Sequence, residues 1–237
     1  MTTSSPIVLI FGGSRGIGAA CARAFAVAGW QVASTYATHH PSDGGPGRQY
    51  KVDIRDAASV AQVFAQVAAD LGAAPQAVIA NAGINVPAGP LASFRPEDFR
   101  LLMEVNVLGA FNVLAEAARR VRDGGAIVAI TTSLVRHAVP GTGPYAATKA
   151  AVESLVRSMA KELSARGVRV NAVAPGPVDT DLFNAGKTEE AKQRMAALSP
   201  FNRIGKPGEI AEVVRFLASG EASWIQGQIV QPNGGMV

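Results

Sequence analysis

Tyr145 and Lys149 lie four residues apart in the stretch TGPYAATKAAVESLVRSMAKEL, residues 142–163, a spacing that places them one turn apart on a helix. The apolar residues that follow have the helical spacing i, i+3, i+4 and i+7: Val152, Leu155, Val156, Met159 and Leu163. Extending this apolar face towards the start of the helix reaches Lys149 and then Tyr145. An ammonium group on a buried face needs a partner or a function, and a phenol beside it is a candidate proton donor.

Three glycines, Gly12, Gly16 and Gly18, lie between the first apolar run and the first helical pattern in IVLIFGGSRGIGAACARAFAVAG. Glycines at such a turn allow the backbone to approach a phosphate closely, and the following helix presents free N–H groups and its positive dipole end. The spacing is GxxxGxG, and glycines also serve ordinary tight turns. Their position directly after an N-terminal strand predicts a dinucleotide-binding site.

The residues after the second apolar run indicate which dinucleotide is bound. An NAD site has an acid about 20 residues after the glycines, which binds the ribose 2′-hydroxyl. Here the region reads STYATHH, and the first acid after the glycines is Asp43. Arg15 lies within the turn and can pair with a 2′-phosphate, unless it only points into solvent. His39 and His40 are more typical of solvated loop residues. The pattern favours NADP(H) over NAD(H).

Short β-branched runs alternate with longer helical patterns along the chain. The runs predict strands at 7–11, 31–36, 50–52, 77–80, 126–131, 168–174 and 227–231, and helices at 16–28, 56–71, 96–121, 144–166 and 207–219. This alternation predicts an α/β fold, a Rossmann-type doubly wound parallel sheet flanked by helices in a single domain, 1–237. Residues 176–206 interrupt the rhythm with one short helical pattern and predict a substrate lid at about 180–202.

The composition excludes several classes of function. Hydrophobic residues make up 48% of the chain and charged residues 17%, which indicates a buried core. The net charge of +4 is dispersed and no Lys/Arg-rich run occurs, so nucleic acid is not expected as a partner. Cys21 is the only cysteine, and the N-terminal apolar run is too short for a membrane span. We expect a cytoplasmic protein with no metal and no membrane partner.

Further segments complete a pattern that resembles the short-chain dehydrogenases/reductases over essentially all 237 residues. The matching segments are GGSRGIG at 12–18, Asp53, NAG at 81–83, Asn106 in EVNVLGAF, the set Ser133, Tyr145 and Lys149, VNAVAPGPVDTDLF at 170–183, and the stretch 205–235. Within that family, the sequence is most similar to the branch of 3-oxoacyl-carrier-protein reductases and naphthol-type ketone reductases. The resemblance implies a reductase of ketones or aldehydes that works reversibly.

The resemblance also implies the catalytic roles. Tyr145 would donate its phenolic proton to the carbonyl oxygen, and Lys149 would lower the pKa of that phenol and bind the nicotinamide ribose. Ser133 would hydrogen-bond the substrate oxygen, although Thr132 also carries a hydroxyl and lies at the family's usual distance from Tyr145. Asn106 would hold a water that joins Lys149 to solvent; the alternative is an asparagine that bends the helix for packing reasons.

The cofactor roles implied by the resemblance cover four segments. The phosphate turn would be formed by Gly12, Ser14, Arg15, Gly16, Ile17 and Gly18; the adenosine would be met by Asp53, Ile54, Asn81, Ala82 and Gly83; the nicotinamide would be met by Tyr145, Lys149, Pro175, Gly176, Val178 and Thr180. Asp53 could instead cap the helix that begins near residue 56. The C-terminus reads QPNGGMV and lacks the acid that the family more often has before its paired glycines.

Two alternatives remain open at this stage. The enzyme could be specifically a 3-oxoacyl-carrier-protein reductase of fatty-acid or polyketide synthesis, or the chain could be a non-catalytic NADP-binding sensor. Enoyl reductases of the superfamily have six residues between the tyrosine and the lysine, against three here, and are disfavoured. Family members of this length are commonly tetramers, so we expect a homotetramer in which the helices at 96–121 and 144–166 contact symmetry mates.

Overall fold

The computed structural model describes residues 5–38, 40 and 44–237, so that His39 and Asp43 lie outside the described residues. Seven strands form one parallel sheet in the order β3-β2-β1-β4-β5-β6-β7. The strands are β1 (Ile7–Phe11), β2 (Gln31–Tyr36), β3 (Arg48–Lys51), β4 (Ala77–Ala80), β5 (Ala126–Ile130), β6 (Arg169–Val173) and β7 (Ile229–Val230). The strand order reverses between β1 and β4, and ligands of such sheets bind at the carboxyl ends beside this point.

Helices cover both faces of the sheet, which is why β1, β4 and β5 are buried along their whole length. They are α1 (Gly16–Val27), α2 (Ala57–Leu71), α3 (Pro96–Leu102), α4 (Ala110–Arg120), α5 (Gly143–Glu162), α6 (Asp181–Asn184), α7 (Glu189–Ala196) and α8 (Pro207–Ala218). One core lies under α2, α4 and α5 around Phe11 and Phe64, and the other lies under α1 and α8 around Phe25 and Val214. The predicted doubly wound fold is confirmed.

The segment from α3 to α4 is one continuous helix, but its middle part, Met103–Gly109, is π-helical. The full helix Pro96–Arg120 is long and apolar enough to cross a membrane by length and composition alone, a test that core helices of soluble proteins also pass. In this fold 44% of an apolar 18-residue stretch of the helix is buried. A π-helical turn adds one residue to the ring closed by each hydrogen bond, and it is often found at functional sites.

The segment between β6 and α8 is closed at its base by a parallel bridge between Val178 and Gly205. Asp179 donates its N–H to Gly205 O at 2.9 Å, and Gly205 donates to Pro177 O at 2.9 Å. The loop therefore leaves the sheet and returns to the same point. The function of residues 180–202 as a substrate lid stays a prediction. The single short helical pattern predicted here is wrong in number, because the structure contains both α6 and α7.

Candidate active site

The glycine-rich turn joins β1 to α1 through contacts that only glycine permits. Gly12 has a φ of 79°, and its N–H donates to Thr35 Oγ1 at 3.1 Å while its carbonyl accepts from Asn81 Nδ2 at 2.7 Å. A Cβ atom on Gly18 would lie 1.9 Å from Gly12 O, far inside van der Waals contact. The turn is therefore folded tightly onto the first residues of the helix, with no side chain between the backbone and a ligand.

The N-terminus of α1 is open to an anion. Arg15 occupies the N-cap position with an extended backbone and makes no capping hydrogen bond through its side chain, and the first turn contains no acid. The free N–H groups and the positive end of the helix dipole are therefore not neutralised by the protein itself. Because the glycines leave a cradle that a Cβ would fill, the turn from Gly12 to Gly18, with Ser14 and Ile17, fits the pyrophosphate of a dinucleotide.

The start of the lid lies directly against this turn. A Cβ atom on Gly16 would lie 3.2 Å from Cγ2 of Thr180, so the phosphate turn and the predicted nicotinamide segment face the same cleft. Thr180 caps α6 by accepting a hydrogen bond from Phe183 N at 3.1 Å. The bridge between Val178 and Gly205 lies two residues before Thr180 and anchors this part of the chain. The start of the 180–202 segment and the phosphate turn therefore form one wall of the site.

The predicted adenosine contacts lie at the ends of β3 and β4. Asp53 receives two hydrogen bonds from the Arg55 guanidinium at 2.6–3.0 Å, and this pairing holds the pKa of the Asp53 carboxyl below its usual value. The alternative that Asp53 caps the following helix is wrong, because Asp56 caps α2 by accepting from Ala58 N. Ile54 packs against Gly109, where a Cβ would lie 2.7 Å from its side chain.

Residues 81–83 connect the phosphate turn to the catalytic residues. Asn81 bonds to Gly12, and a Cβ on Gly12 would lie 2.8 Å from Cα of Ala82. A Cβ on Gly83 would lie 3.2 Å from Lys149 Nζ and 3.0 Å from Asn106 Oδ1. Gly83 is therefore the point at which the segment after β4 meets both polar side chains, and any larger residue there would push them apart.

Lys149 is buried in α5, as its position on the apolar face predicts. Its ammonium donates to Ile130 O, at the end of β5, at 3.1 Å. Loss of water lowers the pKa of Lys149 to about 8. The side chain thus crosses from α5 to the carboxyl edge of the sheet, where a ligand of this fold binds.

Tyr145 lies one turn before Lys149 and is partly buried. Burial raises the pKa of its phenol to about 12. Removal from water, which disfavours the phenolate, is the cause of this shift, and the expected lowering of the Tyr145 pKa by Lys149 stays a prediction. Tyr145 is consequently a neutral phenol, and it can donate a proton, across the physiological pH range.

Asn106 lies in the π-helical stretch and is 1% exposed. Its Oδ1 accepts from Ile84 N at 2.8 Å, and its Nδ2 donates to Ile84 O at 2.9 Å and to Thr148 Oγ1 at 3.3 Å. The amide therefore binds the segment after β4 to the long helix on one side and to α5 on the other. All three hydrogen bonds join protein segments in a distorted part of the helix, so they agree with the structural alternative, and the predicted role of Asn106 in holding a water stays a prediction.

Two hydroxyls compete for the third catalytic role. Ser133 is buried, and its Oγ donates to Pro175 O at 3.0 Å. Thr132 caps the short 3₁₀ helix Ser133–Val135, with its Oγ1 accepting from Leu134 N at 3.3 Å. Thr132 thus has a local structural function, whereas Ser133 is directed to the segment that contains Pro175 and Gly176.

The segment at Pro175 and Gly176 is fixed by the C-terminus. Gly176 lies so close to the backbone of Asn233 that a Cβ would be 2.9 Å from Cα of that residue. Asn233 Oδ1 accepts from Gly235 N at 3.0 Å and from Met236 N at 3.1 Å. The amide oxygen of Asn233 thus accepts the two hydrogen bonds that a carboxylate at this position could accept. The turn therefore forms without the acid that the family more often has here.

Two residues with a supporting function are absent from the predictions made from sequence. Thr35 accepts from the turn at Gly12, and Thr148 joins Asn106 to α5 while its own Oγ1 donates to Tyr145 O at 2.7 Å. Both lie inside regular elements whose pattern assigns them only to a strand or a helix. Their roles depend on which element packs opposite, and no local signal in the sequence carries that information.

A family model described as Enoyl-(Acyl carrier protein) reductase matches residues 12–237. A "Short-chain type dehydrogenase/reductase" of Picea abies is 38% identical, over 98% of this chain and 92% of its own length. An "NADPH-dependent aldehyde reductase-like protein, chloroplastic" of Arabidopsis thaliana is 35% identical, over 98% and 94%. The "3-oxoacyl-[acyl-carrier-protein] reductase MabA" of Mycobacterium tuberculosis is 36% identical, over 97% and 92%.

The fold also matches solved structures over its whole length. A blue fluorescent protein from a metagenomic library, solved in complex with NADPH, superposes with a TM-score of 0.89 at 32% identity and covers 100% of both chains. A short-chain dehydrogenase/reductase from Serratia marcescens superposes with a TM-score of 0.88 at 34% identity, over 98% of this chain and 97% of its own.

Proposed function

Since the chain belongs to the short-chain dehydrogenases/reductases, a family of nicotinamide-dependent oxidoreductases, we propose that it reduces a ketone or aldehyde to an alcohol with NADPH. The observation that carries the proposal is the position of Lys149. Its buried ammonium reaches the carboxyl edge of the sheet beside Gly83 and Asn106, one helical turn from a neutral Tyr145 phenol. A buried ammonium without a counter-charge destabilises the folded state, so its presence indicates that the charge has a function.

The residues of the site divide the reaction between them. A nicotinamide held near Tyr145, Lys149, Pro175 and Gly176 would supply the hydride for the carbonyl carbon. Tyr145 donates its phenolic proton to the carbonyl oxygen, so that one hydride and one proton together make the alcohol. Lys149 stabilises the phenolate that remains, and the Ser133 hydroxyl donates a hydrogen bond to the same oxygen as negative charge develops on it. Asn106 keeps the segment after β4 in register with α5, which positions Lys149.

The preference for NADP(H) is supported by the charges around the phosphate turn. Arg15 is exposed beside the turn and has no acidic partner among the residues that the structure describes. The described part of the segment after β2 contributes no acid to bind a ribose 2′-hydroxyl in the manner of an NAD enzyme. A relative and a structural neighbour that carry NADPH in their descriptions agree with this choice.

Carbonyl reduction is favoured over enoyl reduction by the catalytic helix itself. Three residues separate Tyr145 from Lys149 on α5, against the six expected for enoyl reductases of the superfamily, and this spacing places the two residues one helical turn apart. The description of the family model names enoyl reduction, whereas the relatives at 35% and 36% identity are described as an aldehyde reductase and a 3-oxoacyl reductase. The second candidate is therefore a reductase of 3-oxoacyl thioesters on a carrier protein.

The test is the consumption of NADPH with a panel of aldehydes, ketones, 3-oxoacyl thioesters and enoyl thioesters. We expect turnover with carbonyl substrates and none with enoyl thioesters. Tyr145→Phe should lower kcat by about 10²- to 10⁴-fold, because it removes the proton donor and leaves the ring in place. Tyr50→Phe is the matched control, since the Tyr50 hydroxyl donates to Asp70, far along the chain from the candidate catalytic residues, and kcat should stay unchanged.

Three outcomes would contradict the proposal. Full turnover by Tyr145→Phe would exclude this residue as the acid. Absence of turnover with every carbonyl, together with tight NADPH binding, would favour the non-catalytic sensor. A larger decrease in kcat for Thr132→Val than for Ser133→Ala would show that Thr132, and not Ser133, donates the hydrogen bond to the substrate.

A further inference from the structure

Glu153 is a buried carboxylate on α5 that the proposed reaction does not use. It follows Lys149 by one helical turn on the same face of the helix, and it is 2% exposed. Its neighbours on this face, Val152 and Val156, are apolar and pack into the core. Burial of a carboxylate costs far more than burial of an apolar side chain of similar size, so its presence indicates a function that an apolar residue could not perform.

Two hydrogen bonds hold the Glu153 carboxylate. Arg157, one turn further along α5, donates from its guanidinium to Oε2 at 3.1 Å and balances the charge. The buried hydroxyl of Thr131 donates to Oε1 at 3.3 Å, with Val173 O at 3.4 Å as its other acceptor. A carboxylate is the stronger acceptor of the two. One oxygen of Glu153 is therefore bound to its own helix, and the other is bound to the end of the sheet.

The contact with Thr131 lies where the catalytic groups meet. Thr131 directly follows Ile130, whose carbonyl accepts from the Lys149 ammonium at 3.1 Å. Two consecutive residues at the end of β5 are thus held by Lys149 and Glu153, two side chains one turn apart on α5. Ser133 follows Thr131 by two residues, so it lies in the segment that this contact anchors.

We propose that Glu153 is a positioning residue that sets the end of β5, and with it Ser133 and the acceptor of the Lys149 ammonium, against the catalytic helix. The inference rests on the proposed carbonyl reduction, and it adds a residue that acts through Thr131 and not on the substrate. Without this hydrogen bond the end of β5 can shift against α5. A displacement of about 1 Å in the Ser133 hydroxyl is enough to slow the reaction severely.

The first measurement is kcat for carbonyl reduction in variants of both ends of the hydrogen bond. Glu153→Met removes the acceptor and keeps an unbranched side chain, and Thr131→Val removes the donor; each should lower kcat about tenfold. Because both changes break the same bond, the double variant should lose no more than either single variant. Glu153→Gln keeps an acceptor oxygen, and its kcat should stay within about threefold of that of the unaltered protein.

Glu116→Met is the matched control. Glu116 is also a buried carboxylate, 6% exposed, and it pairs with two arginines of its own helix, Arg119 and Arg120. These bonds lie within α4, so its replacement should change the Tm and leave kcat unchanged. A merely structural role of Glu153 would appear in the same way, in the Tm alone.

Hydrogen exchange supplies a readout that does not depend on turnover. The amides of Thr131 and Ser133 donate to Val173 O and Pro175 O, across the ends of the two strands. Exchange at residues 131–133 should be about tenfold faster in Glu153→Met than in the unaltered protein, because the end of β5 opens more often. In Glu116→Met it should be unchanged.

Unchanged kcat in both Glu153→Met and Thr131→Val would overturn the inference, and so would unchanged exchange at residues 131–133 in Glu153→Met. Additive losses in the double variant would show two independent effects instead of one shared bond, and would also overturn it. If Glu153→Met does not fold, kcat and exchange in Thr131→Val decide the question. If the unaltered protein reduces no carbonyl, the proposed function fails, and the exchange experiment alone decides the role of Glu153.

Discussion

At the scale of the residue, Lys149 combines a functional position with an energetic cost. Its ammonium is 6% exposed and has one hydrogen-bond acceptor, Ile130 O. No carboxylate of the described structure compensates it, which is why desolvation alone lowers its pKa to about 8. The native protein holds this proton less tightly than the unfolded chain does, so the residue destabilises the fold in the pH range where it is charged.

Replacement of Lys149 by methionine should therefore raise the free energy of unfolding at pH 7 by on the order of 2 kcal/mol while abolishing turnover. The folded pKa of about 8 lies below the ordinary value of 10.5. The penalty in the unaltered protein is complete below pH 8 and disappears as the pH rises to 10.5, so the gain should shrink over that window. Urea unfolding at pH 7 and 10 measures it.

Lys161→Met is the matched control for this measurement, since Lys161 is exposed on the same helix. We expect its effect to stay within about 0.5 kcal/mol at both pH values. A Lys149→Met variant less stable than the unaltered protein at pH 7 would contradict the view that the ammonium is held against its desolvation cost.

At the scale of the element, the site depends on how closely a strand, a turn and a helix approach one another. Gly12 O would lie 1.9 Å from a Cβ on Gly18, so the first turn of α1 and the phosphate turn are in backbone contact. Any side chain at Gly18 must move one of them, and backbone cannot move aside as a flexible side chain does. The same contact aligns the free N–H groups of α1 with the cleft.

Gly18→Ala should accordingly raise the Kd for NADPH by at least tenfold and lower the Tm by several degrees. Gly208→Ala is the control, because a Cβ at Gly208 in the first turn of α8 meets no atom within 4 Å. That variant should keep its affinity and gain up to about 1 kcal/mol of stability, since alanine favours a helix over glycine. Fluorescence titration and calorimetry give the two quantities, and unchanged NADPH affinity in Gly18→Ala would refute the argument.

At the scale of the whole molecule, several large apolar side chains are exposed, and two of the regions that carry them are the long helix Pro96–Arg120 and the segment before β7. Leu108 and Phe111 on the long helix are 50% and 49% exposed, and Phe99 is 40% exposed. Trp224, 98% exposed, lies beside the edge strand β7. A tetramer with two-fold symmetry needs two different interfaces on each subunit. We propose that second copies of the chain cover both regions, which agrees with the homotetramer expected from the sequence.

Light scattering should then give a tetramer for the unaltered protein and dimers for both Phe111→Glu and Trp224→Glu, because each substitution places a charge in one interface and leaves the other intact. Val27→Glu should remain a tetramer, since Val27 is 91% exposed but lies at the end of α1, and so on neither the long helix nor the segment before β7. A monomer for the unaltered protein would contradict the proposal.

The sequence by itself determined the order of the elements and the identity of the motif residues. Strands at Ile7–Phe11, Gln31–Tyr36 and Ala77–Ala80 agree with their prediction at both ends, because a buried parallel strand and its flanking glycines are local features. Tyr145 and Lys149 were likewise assigned to one buried face from helical spacing alone. A phenol beside an ammonium group predicts a proton donor and a neighbouring positive charge from residue type alone.

Only the tertiary structure decided the surroundings of those residues. The pairing of Asp53 with Arg55, the π-helical stretch at Asn106, the second helix of the lid and the raised pKa of Tyr145 were not predicted. The physical reason is common to all of them. Burial and the pairing of polar groups depend on atoms that come together from distant parts of the chain, whereas the hydrophobic periodicity of a sequence contains information only on residues close to one another along the chain.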